Sequence, residues 1–445
     1  MNRLLTFYHH LPPPARNLAA SLRGYYLRSW RCGPETERLV EEALEREHWS
    51  AEQWKRWQEE RLAYVLHRAA TQVPYYRQQW SERRRRGDTA SWEVLENWPV
   101  LDKEPLRAHP QAFVADDCDI RRMFHEHTSG TTGKPLDPRY DRWAILGGQL
   151  VVPVTQTKPP FWVWNVALQQ LYMSSYHLSP TTIPQYLEAL RKYRIVYLLG
   201  YTSALYELAC GALDANRDDL SFRVAIANAE PVLSYQRETI ERAFGCPLRE
   251  TYGMAEIVAA AGECQAGTLH LWPEVGWIEV FAGEAPVAPG TMGDIVATGL
   301  FNADMPLIRY RLGDRGALSD AGNGCPCGRT LPVLVGLEGR SDDVLYTRDG
   351  RRIGRLDPVF KAQLPIREAQ IIQEALDRIR VRYVPADGFS EADARSIVER
   401  LQQRMGDVGV ILEATDAIPR GPNGKFRAVI CQLSPEERER IIRHG

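Results

Sequence analysis

The sequence predicts an α/β fold: a large N-terminal multi-sheet α/β domain with a helical N-terminal segment, and a small C-terminal α+β domain. Between about residues 124 and 340, apolar runs typical of buried strands alternate with amphipathic stretches typical of helices. Such alternation is characteristic of strands joined by crossover helices. After Arg340 the pattern changes to short strands and a single long helix, so a second domain is expected there.

The first 100 residues are predicted to be mainly helical. Residues 35–75 place apolar side chains at three- and four-residue spacing, which is the period of an amphipathic helix. Pro74 ends this region, because the residue before a proline is disfavoured in the α conformation. Further on, Asp102 and Lys103 follow a proline-containing turn and indicate the start of another helix.

The central and C-terminal elements follow from the same periodicities. Buried strands are expected over 193–201, 222–230 and 291–300, and helices over 183–193, 203–213 and 235–245. The C-terminal part predicts a hairpin over 344–354 with its turn at Asp349–Gly350, a helix over 391–404, and strands over 378–384 and 408–413. The polar stretch 339–343 is typical of a hinge, and divides the chain into domains 1–340 and 341–445.

Composition excludes several classes of protein. The 445 residues carry 55 basic and 57 acidic side chains, a net charge of −2, so general attraction to nucleic acid or to an anionic membrane is not expected. There is no apolar run of the ~18 residues that a transmembrane helix needs. Eight cysteines are too few for a disulfide scaffold, and a cytoplasmic location is the expectation.

Lysine is scarce and is therefore informative where it occurs. Only seven lysines are present, against 48 arginines among the 55 basic residues, and the two side chains are not chemically interchangeable. Two of the seven, Lys134 and Lys425, lie in glycine-containing loops. The plain alternative is arginine-biased composition.

The strongest local motif is HTSGTTGKP at 127–135. Its hydroxyl side chains and two glycines are typical of a loop that binds phosphate through backbone N–H groups. It is not a Walker A loop, because proline rather than serine or threonine follows the lysine. A polar surface turn is the alternative. The candidate phosphate-binding residues are Thr128, Ser129, Gly130, Thr131, Thr132, Gly133 and Lys134.

Three further motifs carry groups suited to a nucleotide, with an ordinary turn as the alternative for the first and the last. In ETYGMAE (250–256), Tyr252 beside Gly253 can stack on a base, and the Glu256 carboxylate can hold Mg²⁺. In MPLIRYRLGD (305–314), Asp314 can accept hydrogen bonds from a ribose diol. PRGPNGKFR (419–427) presents Lys425 in a turn-rich loop.

Together these motifs resemble the adenylate-forming superfamily of acyl-CoA synthetases, adenylation domains and luciferases, and more closely its phenylacetate–CoA ligase-like branch. NAEPVL (228–233) resembles the adenine-side strand, and GRSDD (339–343) resembles the hinge motif. VPYYR (73–77) and CPCGR (325–329) are similar to the same branch. The motifs occur in the family order, and the resemblance implies a mobile C-terminal domain that carries the catalytic lysine.

The resemblance also implies a role for each site residue. Lys425, Glu256 and His177 would be catalytic. Tyr252 would stack on adenine with Glu230 at the edge of the base, Gly253 would be a further nucleotide-binding residue, and Asp314 and Arg340 would bind ribose. Asp342 would be the hinge. The acid pocket would be lined by Tyr176, Tyr201, Ser203, Ala229 and Met254.

The implied activity is ATP- and Mg²⁺-dependent conversion of a carboxylic acid, aryl or arylacetic, to an acyl-adenylate, followed by transfer to the thiol of CoA. One alternative shares the adenylation step but transfers the acyl group to an amine or to a carrier protein. The other alternative is a non-catalytic nucleotide-binding protein. The N-terminal helices are a candidate homodimer interface, with packing into the core as an equal alternative.

Four residues form a candidate structural zinc site. Cys325 and Cys327 form a Cys-x-Cys pair, which in an intracellular chain favours metal over disulfide. Cys264 and His270 bracket a turn that can bring both to one point, and three thiolates with one imidazole make a closed tetrahedral site. The alternative is that the cysteines are simply buried thiols.

Overall fold

A computed structural model describes residues 3–118, 141–149, 151–153, 156–179, 181–319, 324–340, 345–348, 352–353, 364–419 and 426–444. The predicted phosphate loop at 127–135, the hinge residue Asp342, the hairpin turn at 349–350 and Lys425 lie outside these residues.

The described helices occur in three groups: before the large sheet, on the parallel part of that sheet, and at the C-terminus. They are α1 (Arg3–His10), α2 (Pro13–Arg31), α3 (Pro34–Arg46), α4 (Ala51–Gln72), α5 (Pro74–Arg85), α6 (Lys103–Ala108), α7 (Ile183–Lys192), α8 (Thr202–Asp214), α9 (Ser234–Phe244), α10 (Glu391–Met405) and α11 (Pro435–His444). Among the described helices, none is long and apolar enough to cross a membrane.

The strands of the large sheet come from the middle of the chain. They are β1 (Trp143–Gly147), β2 (Trp162–Asn165), β3 (Gln170–Ser174), β4 (Tyr197–Tyr201), β5 (Val224–Asn228), β6 (Leu248–Gly253), β7 (Ala260–Glu263), β8 (Leu269–Leu271), β9 (Gly276–Ala282), β10 (Ala285–Pro286), β11 (Gly293–Gly299), β12 (Tyr310–Ser319) and β13 (Val333–Arg340). Their order across the sheet is β10-β9-β11-β12-β13-β8-β7-β6-β5-β4-β1-β3-β2.

Strand β6 joins a parallel half of this sheet to an antiparallel half. Its first residues, from Leu248 to Glu250, pair in parallel with β5, while Thr251 to Gly253 pair antiparallel with β7. The parallel and antiparallel parts are therefore one continuous surface. The motif ETYGMAE begins at this junction, so its polar side chains project where the two halves meet.

Two hydrophobic cores support the two halves. Helices α7, α8 and α9 bury side chains such as Tyr186, Leu205 and Phe244 against the parallel strands. Helices α4 and α5 pack instead on the antiparallel half, where Tyr76 and Trp98 are buried. The predicted helices and strands of this region are present, with α7, α8, α9, β4, β5 and β11 inside the expected ranges or within one residue of them.

The C-terminal part forms its own small sheets. Strands β14 (Leu345–Tyr346) and β15 (Arg352–Ile353) pair antiparallel, as the predicted hairpin requires. Strands β16 (Ile366–Ala375), β17 (Arg378–Pro385), β18 (Gly409–Ala414) and β19 (Val429–Cys431) form a four-stranded sheet in the order β18-β17-β16-β19. Helix α10 buries Ile397 and Leu401 in the core of this sheet.

Helix α2 covers the β2 edge of the large sheet. The Asn17 side-chain oxygen accepts from the backbone N–H of Trp164 at 3.0 Å, and the Ser21 hydroxyl accepts from that of Val166 at 3.2 Å. Gly24 lies so close to β2 that a Cβ there would be 2.2 Å from the Asn165 side-chain oxygen. An uncovered edge strand would present unpaired backbone groups, and α2 satisfies two of them.

Replacing Asn17 by alanine should loosen this edge. The Trp164 N–H would lose its acceptor while remaining partly buried, which costs about 1–3 kcal/mol. We expect a lower melting temperature and faster amide exchange at Trp164. Asn17→Asp keeps an oxygen acceptor and is the matched control. Equal effects of the two substitutions would contradict the role assigned to that oxygen.

Candidate nucleotide-binding cleft

A large cavity lies between the large sheet and the C-terminal part of the chain. Its volume is about 1660 Å³. The side next to the parallel strands is formed by α8, α9 and the loop that follows β5, and the opposite side by segments near β16 and β19. Open α/β sheets bind ligands beyond the carboxyl ends of their parallel strands, where this cavity begins.

Glu230 is fixed at one wall of the cavity by the start of α8. One carboxylate oxygen accepts from the backbone N–H of Ser203 at 2.8 Å, and the other accepts from the Ser203 hydroxyl at 3.1 Å. The Thr202 hydroxyl donates to the Glu230 carbonyl at 3.0 Å. Because free N–H groups at a helix N-terminus carry partial positive charge, this site favours an anionic side chain.

The backbone just before Glu230 has an unusual conformation. Ala229 has a φ of 61°, in the left-handed region that residues other than glycine rarely occupy. Such conformations are retained where the surrounding structure holds them, and they cluster at functional sites. Here the left-handed residue turns the chain so that Glu230 reaches Ser203.

Glu230 also joins the two parts of the protein. The backbone N–H of Phe426 donates to the Glu230 carboxylate at 2.9 Å across 196 residues of sequence. Phe426 directly follows Lys425, which lies outside the described residues. The described end of the PRGPNGKFR motif, at Phe426, therefore lies at the same cavity as Glu230.

Tyr252 and Asp314 meet across the two halves of the sheet. The Tyr252 hydroxyl, on β6, donates to the Asp314 carboxylate, on β12, at 2.9 Å. Arg340 is opposite Asp314 in the ladder between β12 and β13. The residues that separate motifs assign to adenine and ribose are therefore neighbours. A hydrogen bond joins Tyr252 to Asp314, and the strand register places Arg340 opposite Asp314.

Glu256 is held by another tyrosine, Tyr310 at the start of β12. The buried Tyr310 hydroxyl donates to the Glu256 carboxylate at 3.0 Å. Tyr310 is fixed in turn by a parallel bridge to Leu101, on the segment leading into α6. The carboxylates of Glu256 and Asp314 are therefore both oriented by tyrosine hydroxyls.

Lys103 is a charged neighbour of this group that the sequence motifs did not identify. Gly313 has a φ of 80°, and a Cβ placed on it would be 3.2 Å from the Lys103 ammonium. The ammonium thus lies over the glycine that precedes Asp314. The scarcity of lysine was the only signal available for it, since no motif spacing connects 103 with 314.

The residues expected to line the acid pocket are only partly at the cavity. Tyr176 and Ser203 line it. Tyr201, with 3% of its surface exposed, is packed in the core. Ala229 packs against that core, and Met254 packs against the core of the antiparallel half.

His177 has protein partners on both ring nitrogens. Nδ1 lies 2.8 Å from the Ser174 hydroxyl, and Nε2 lies 3.1 Å from the Pro153 carbonyl oxygen. Because a carbonyl can only accept, Nε2 is the protonated nitrogen, and the ring also stacks on Phe161 with centroids 4.8 Å apart. His177 is absent from the cavity lining, whereas Tyr176 and Leu178 on either side contribute to it.

The predicted cysteine–histidine cluster comes together. The ligand atoms of Cys264, His270, Cys325 and Cys327 all lie within 4.8 Å of one another. Cys264 and Cys325 sulfurs are 3.7 Å apart, and the Cys327 sulfur is 3.4 Å from His270 Nε2. In a tetrahedral zinc site with Zn–S bonds of about 2.3 Å, these separations would be about 3.8 and 3.6 Å.

Two further features of this cluster bear on metal binding. His270 Nδ1 lies 3.2 Å from the Leu331 carbonyl, which leaves Nε2 directed at the cysteines. A hydrogen bond with Thr268 lowers the pKa of Cys325 to about 6, whereas burial raises the pKa of Cys327. Cysteine sulfurs and an imidazole oriented by a carbonyl are ligands typical of structural zinc sites.

Comparison with known proteins gives consistent relatives. The CapK C-terminal domain family matches residues 345–432. Protein CapK of Staphylococcus aureus is 30% identical over 306 residues, covering 65% of this chain and 64% of CapK, so less than two thirds of that protein is matched. The phenylacetate-coenzyme A ligase of Thermus thermophilus is 26% identical over 432 residues, covering 84% of this chain and 95% of that enzyme.

The fold agrees with these relatives. A crystal structure of 2-hydroxyisobutyryl-CoA ligase, in the postadenylation state with R3-HIB-AMP, superposes with a TM-score of 0.64 at 21% identity, covering 89% of this chain and 93% of that one. The chain is therefore similar in sequence to phenylacetate-coenzyme A ligases and similar in fold to an acyl-CoA ligase.

Glu230→Gln tests the contact between the two sides of the cavity. The Ser203 and Phe426 N–H groups now donate to a carboxylate, whereas glutamine offers them only one acceptor oxygen and a repelling NH₂ group. A hydrogen bond to a charged group is worth about 1.5–3 kcal/mol. We expect amide exchange at Phe426 to become about tenfold faster. Glu238→Gln, at an exposed residue of the same cavity, should leave it unchanged. Unaltered exchange in Glu230→Gln would argue against the contact.

Proposed function

We propose that this protein uses ATP to convert a carboxylic acid to an acyl-adenylate with release of pyrophosphate, and then transfers the acyl group to the thiol of CoA. A carboxylate is a poor acyl donor because its leaving group would be oxide. Attack of the carboxylate on the α-phosphate provides AMP as the leaving group instead. The protein's task is to hold two anions close together and to stabilise the charge that develops between them.

The contact between Glu230 and Phe426 carries this proposal. The Glu230 carboxylate accepts hydrogen bonds from both α8 and the C-terminal part of the chain. This supports a single site formed by the two sides of the cavity. In this arrangement Lys425 would offset the negative charges of the substrate carboxylate and the α-phosphate. Thr128, Ser129, Thr131, Thr132 and Lys134 would hold the β- and γ-phosphates.

The nucleoside would be bound at the sheet junction. Tyr252 would stack on adenine while its hydroxyl holds Asp314 ready to accept from the ribose diol. Glu256 fits a magnesium ligand, since Mg²⁺ prefers carboxylate oxygens and Tyr310 already orients this group. When bound, Mg²⁺ would supply positive charge against the phosphates.

An aryl or arylacetic acid suits the wall of the cavity next to the parallel strands. Tyr176, Tyr206 and Tyr235 line it, and the rings of Tyr206 and Tyr235 meet edge to face with centroids 5.3 Å apart. Burial raises the pKa values of Tyr176 and Tyr206, so both phenols are neutral at physiological pH. Neutral aromatic walls favour contact with an aromatic ring.

Lys425→Ala should abolish acid-dependent ATP–pyrophosphate exchange, with a loss on the order of at least 10²–10³, because a preorganised cation at the reacting phosphate would be missing. Lys158→Ala removes an exposed lysine and is the matched control. Exchange by Lys425→Ala at the control rate would remove the role assigned to Lys425.

The acid and the acceptor can be identified with the wild-type protein. Aryl, fatty and amino acids are first compared in ATP–pyrophosphate exchange. The best acid is then offered CoA, amines or a carrier protein, and the acylated product is quantified. Thioester formation with CoA is the expected result. Amide formation alone would replace the second half of the proposal, and no exchange with any acid would contradict the first half.

We also propose that Cys264, His270, Cys325 and Cys327 bind one structural zinc ion. The support is the agreement of two of their separations with a tetrahedral site, and the burial of Cys264 and His270. The site would fasten the 324–332 segment to the hairpin of β7 and β8, which ends near the sheet junction. Its contribution would be to stability rather than to the reaction.

Protein purified without chelator should therefore contain about one zinc per chain, measured by elemental analysis. Cys325→Ser with Cys327→Ser should lose the metal and melt at lower temperature, since two ligands of a closed site are gone. Cys246→Ser, at a buried thiol outside the cluster, controls for thiol loss. Metal-free protein whose melting is unchanged by added zinc would exclude the site.

A further inference from the structure

The first three helices expose an unusual amount of apolar surface. Seven of the fourteen large hydrophobic side chains that the described residues leave exposed fall between residues 7 and 44, less than a tenth of the chain. We call them the N-terminal apolar surface. Its members are Phe7, Leu18, Leu22, Tyr25, Tyr26, Leu39 and Leu44.

This surface is distinct from the face by which α2 is already docked. Asn17, Ser21 and Gly24 face β2 and repeat at four- and three-residue intervals, so they share one side of the helix. Leu18 and Leu22 are each one residue further on, and are turned about 100° from that side. Their exposed fractions of 62% and 63% agree with this direction.

Helix α3 has even less support from its own chain. None of its thirteen residues is buried, although Leu39 and Leu44 are apolar. Near its end, Arg46 forms an ion pair with Glu274, at 3.4 Å. Helices of this length are only marginally stable in water without packing, so α3 requires a surface to pack against.

The charges on the two helices are opposite. Residues 1–33 contain five arginines and no acidic residue, whereas residues 34–47 contain six glutamates and two arginines. Arg23 on α2 is exposed, and so are Glu41 and Glu45 on α3. A basic apolar helix and an acidic apolar helix in one chain form a self-complementary pair of surfaces.

We propose that the N-terminal apolar surface is an interface with a second copy of this chain, in which α2 of each copy packs against α3 of the other. A twofold dimer brings each of these surfaces to its complement, so both apolar faces are covered and both sets of charges are paired. The seven side chains expose on the order of 700 Å² together, comparable with the ~800 Å² per partner of a standard interface.

An anionic membrane surface is a less suitable occupant. It would attract the arginines of residues 1–33, but it would repel the glutamates of α3 that immediately follow and leave Leu39 and Leu44 uncovered. A second copy satisfies both helices at once. Membrane binding is therefore treated as an outcome that would overturn the proposal.

Charge reversal provides a specific test. Analytical ultracentrifugation of the full chain should show a dimer. Arg23→Glu alone, and Glu41→Arg with Glu45→Arg, should each weaken dimerisation at least tenfold, because like charges would then face each other. An equimolar mixture of these two variants should recover dimerisation, since every α2–α3 contact in the mixed dimer again has opposite charges.

Arg85→Glu and Glu60→Arg, at exposed positions on α5 and α4, are the matched controls for charge and should dimerise as the wild type does. Circular dichroism and melting temperature verify that each variant is folded. The proposal is overturned by a wild-type monomer at all concentrations, by a dimer insensitive to both reversals, by a mixture that stays monomeric, or by a monomer that sediments with anionic vesicles.

Discussion

The organisation of the cleft depends on one carboxylate that receives hydrogen bonds from both parts of the chain. Glu230 is oriented by the first turn of α8 and contacted by the backbone N–H of Phe426. Hydrogen bonds to a charged group are the stronger kind, and they gain further strength where water is partly excluded. The left-handed turn at Ala229 and the start of α8 can both be understood as supporting this position. The C-terminal part of the chain therefore has a defined point of attachment beside the cavity, at Phe426.

The second organising feature is the junction within β6. Its parallel half is supported by helices that carry the acid-pocket candidates, and its antiparallel half brings β12 and β13 alongside. Tyr252 and Asp314, which are 62 residues apart, can meet only because both halves form one sheet. The cysteine–histidine cluster lies on the same antiparallel half, where β8 pairs with β13 through His270. A zinc ion there would stiffen the strands that present Asp314 and Arg340.

Much of this architecture could be predicted from periodicity and motif chemistry. The strands and helices between 183 and 300 were placed correctly because burial on one face imposes a regular spacing. The cysteine cluster could be predicted because a Cys-x-Cys pair in this class of protein has few other uses. Lys103 could not be, because its position over Gly313 results from a bridge between Leu101 and Tyr310 that no local pattern encodes. The partners of His177 were equally invisible, since the Pro153 carbonyl is distant in sequence and the ring's orientation is a property of packing.

The central claim is that both parts of the chain enclose a single nucleotide. Amide exchange of the wild-type protein, followed by mass spectrometry with and without ATP and Mg²⁺, tests this most directly. The account predicts slower exchange on ATP addition in three places together: β6 around Tyr252, β12 around Asp314, and the segment that begins at Phe426. Protection confined to β6 and β12, with the Phe426 segment unaffected, or no protection in any of the three, would contradict it.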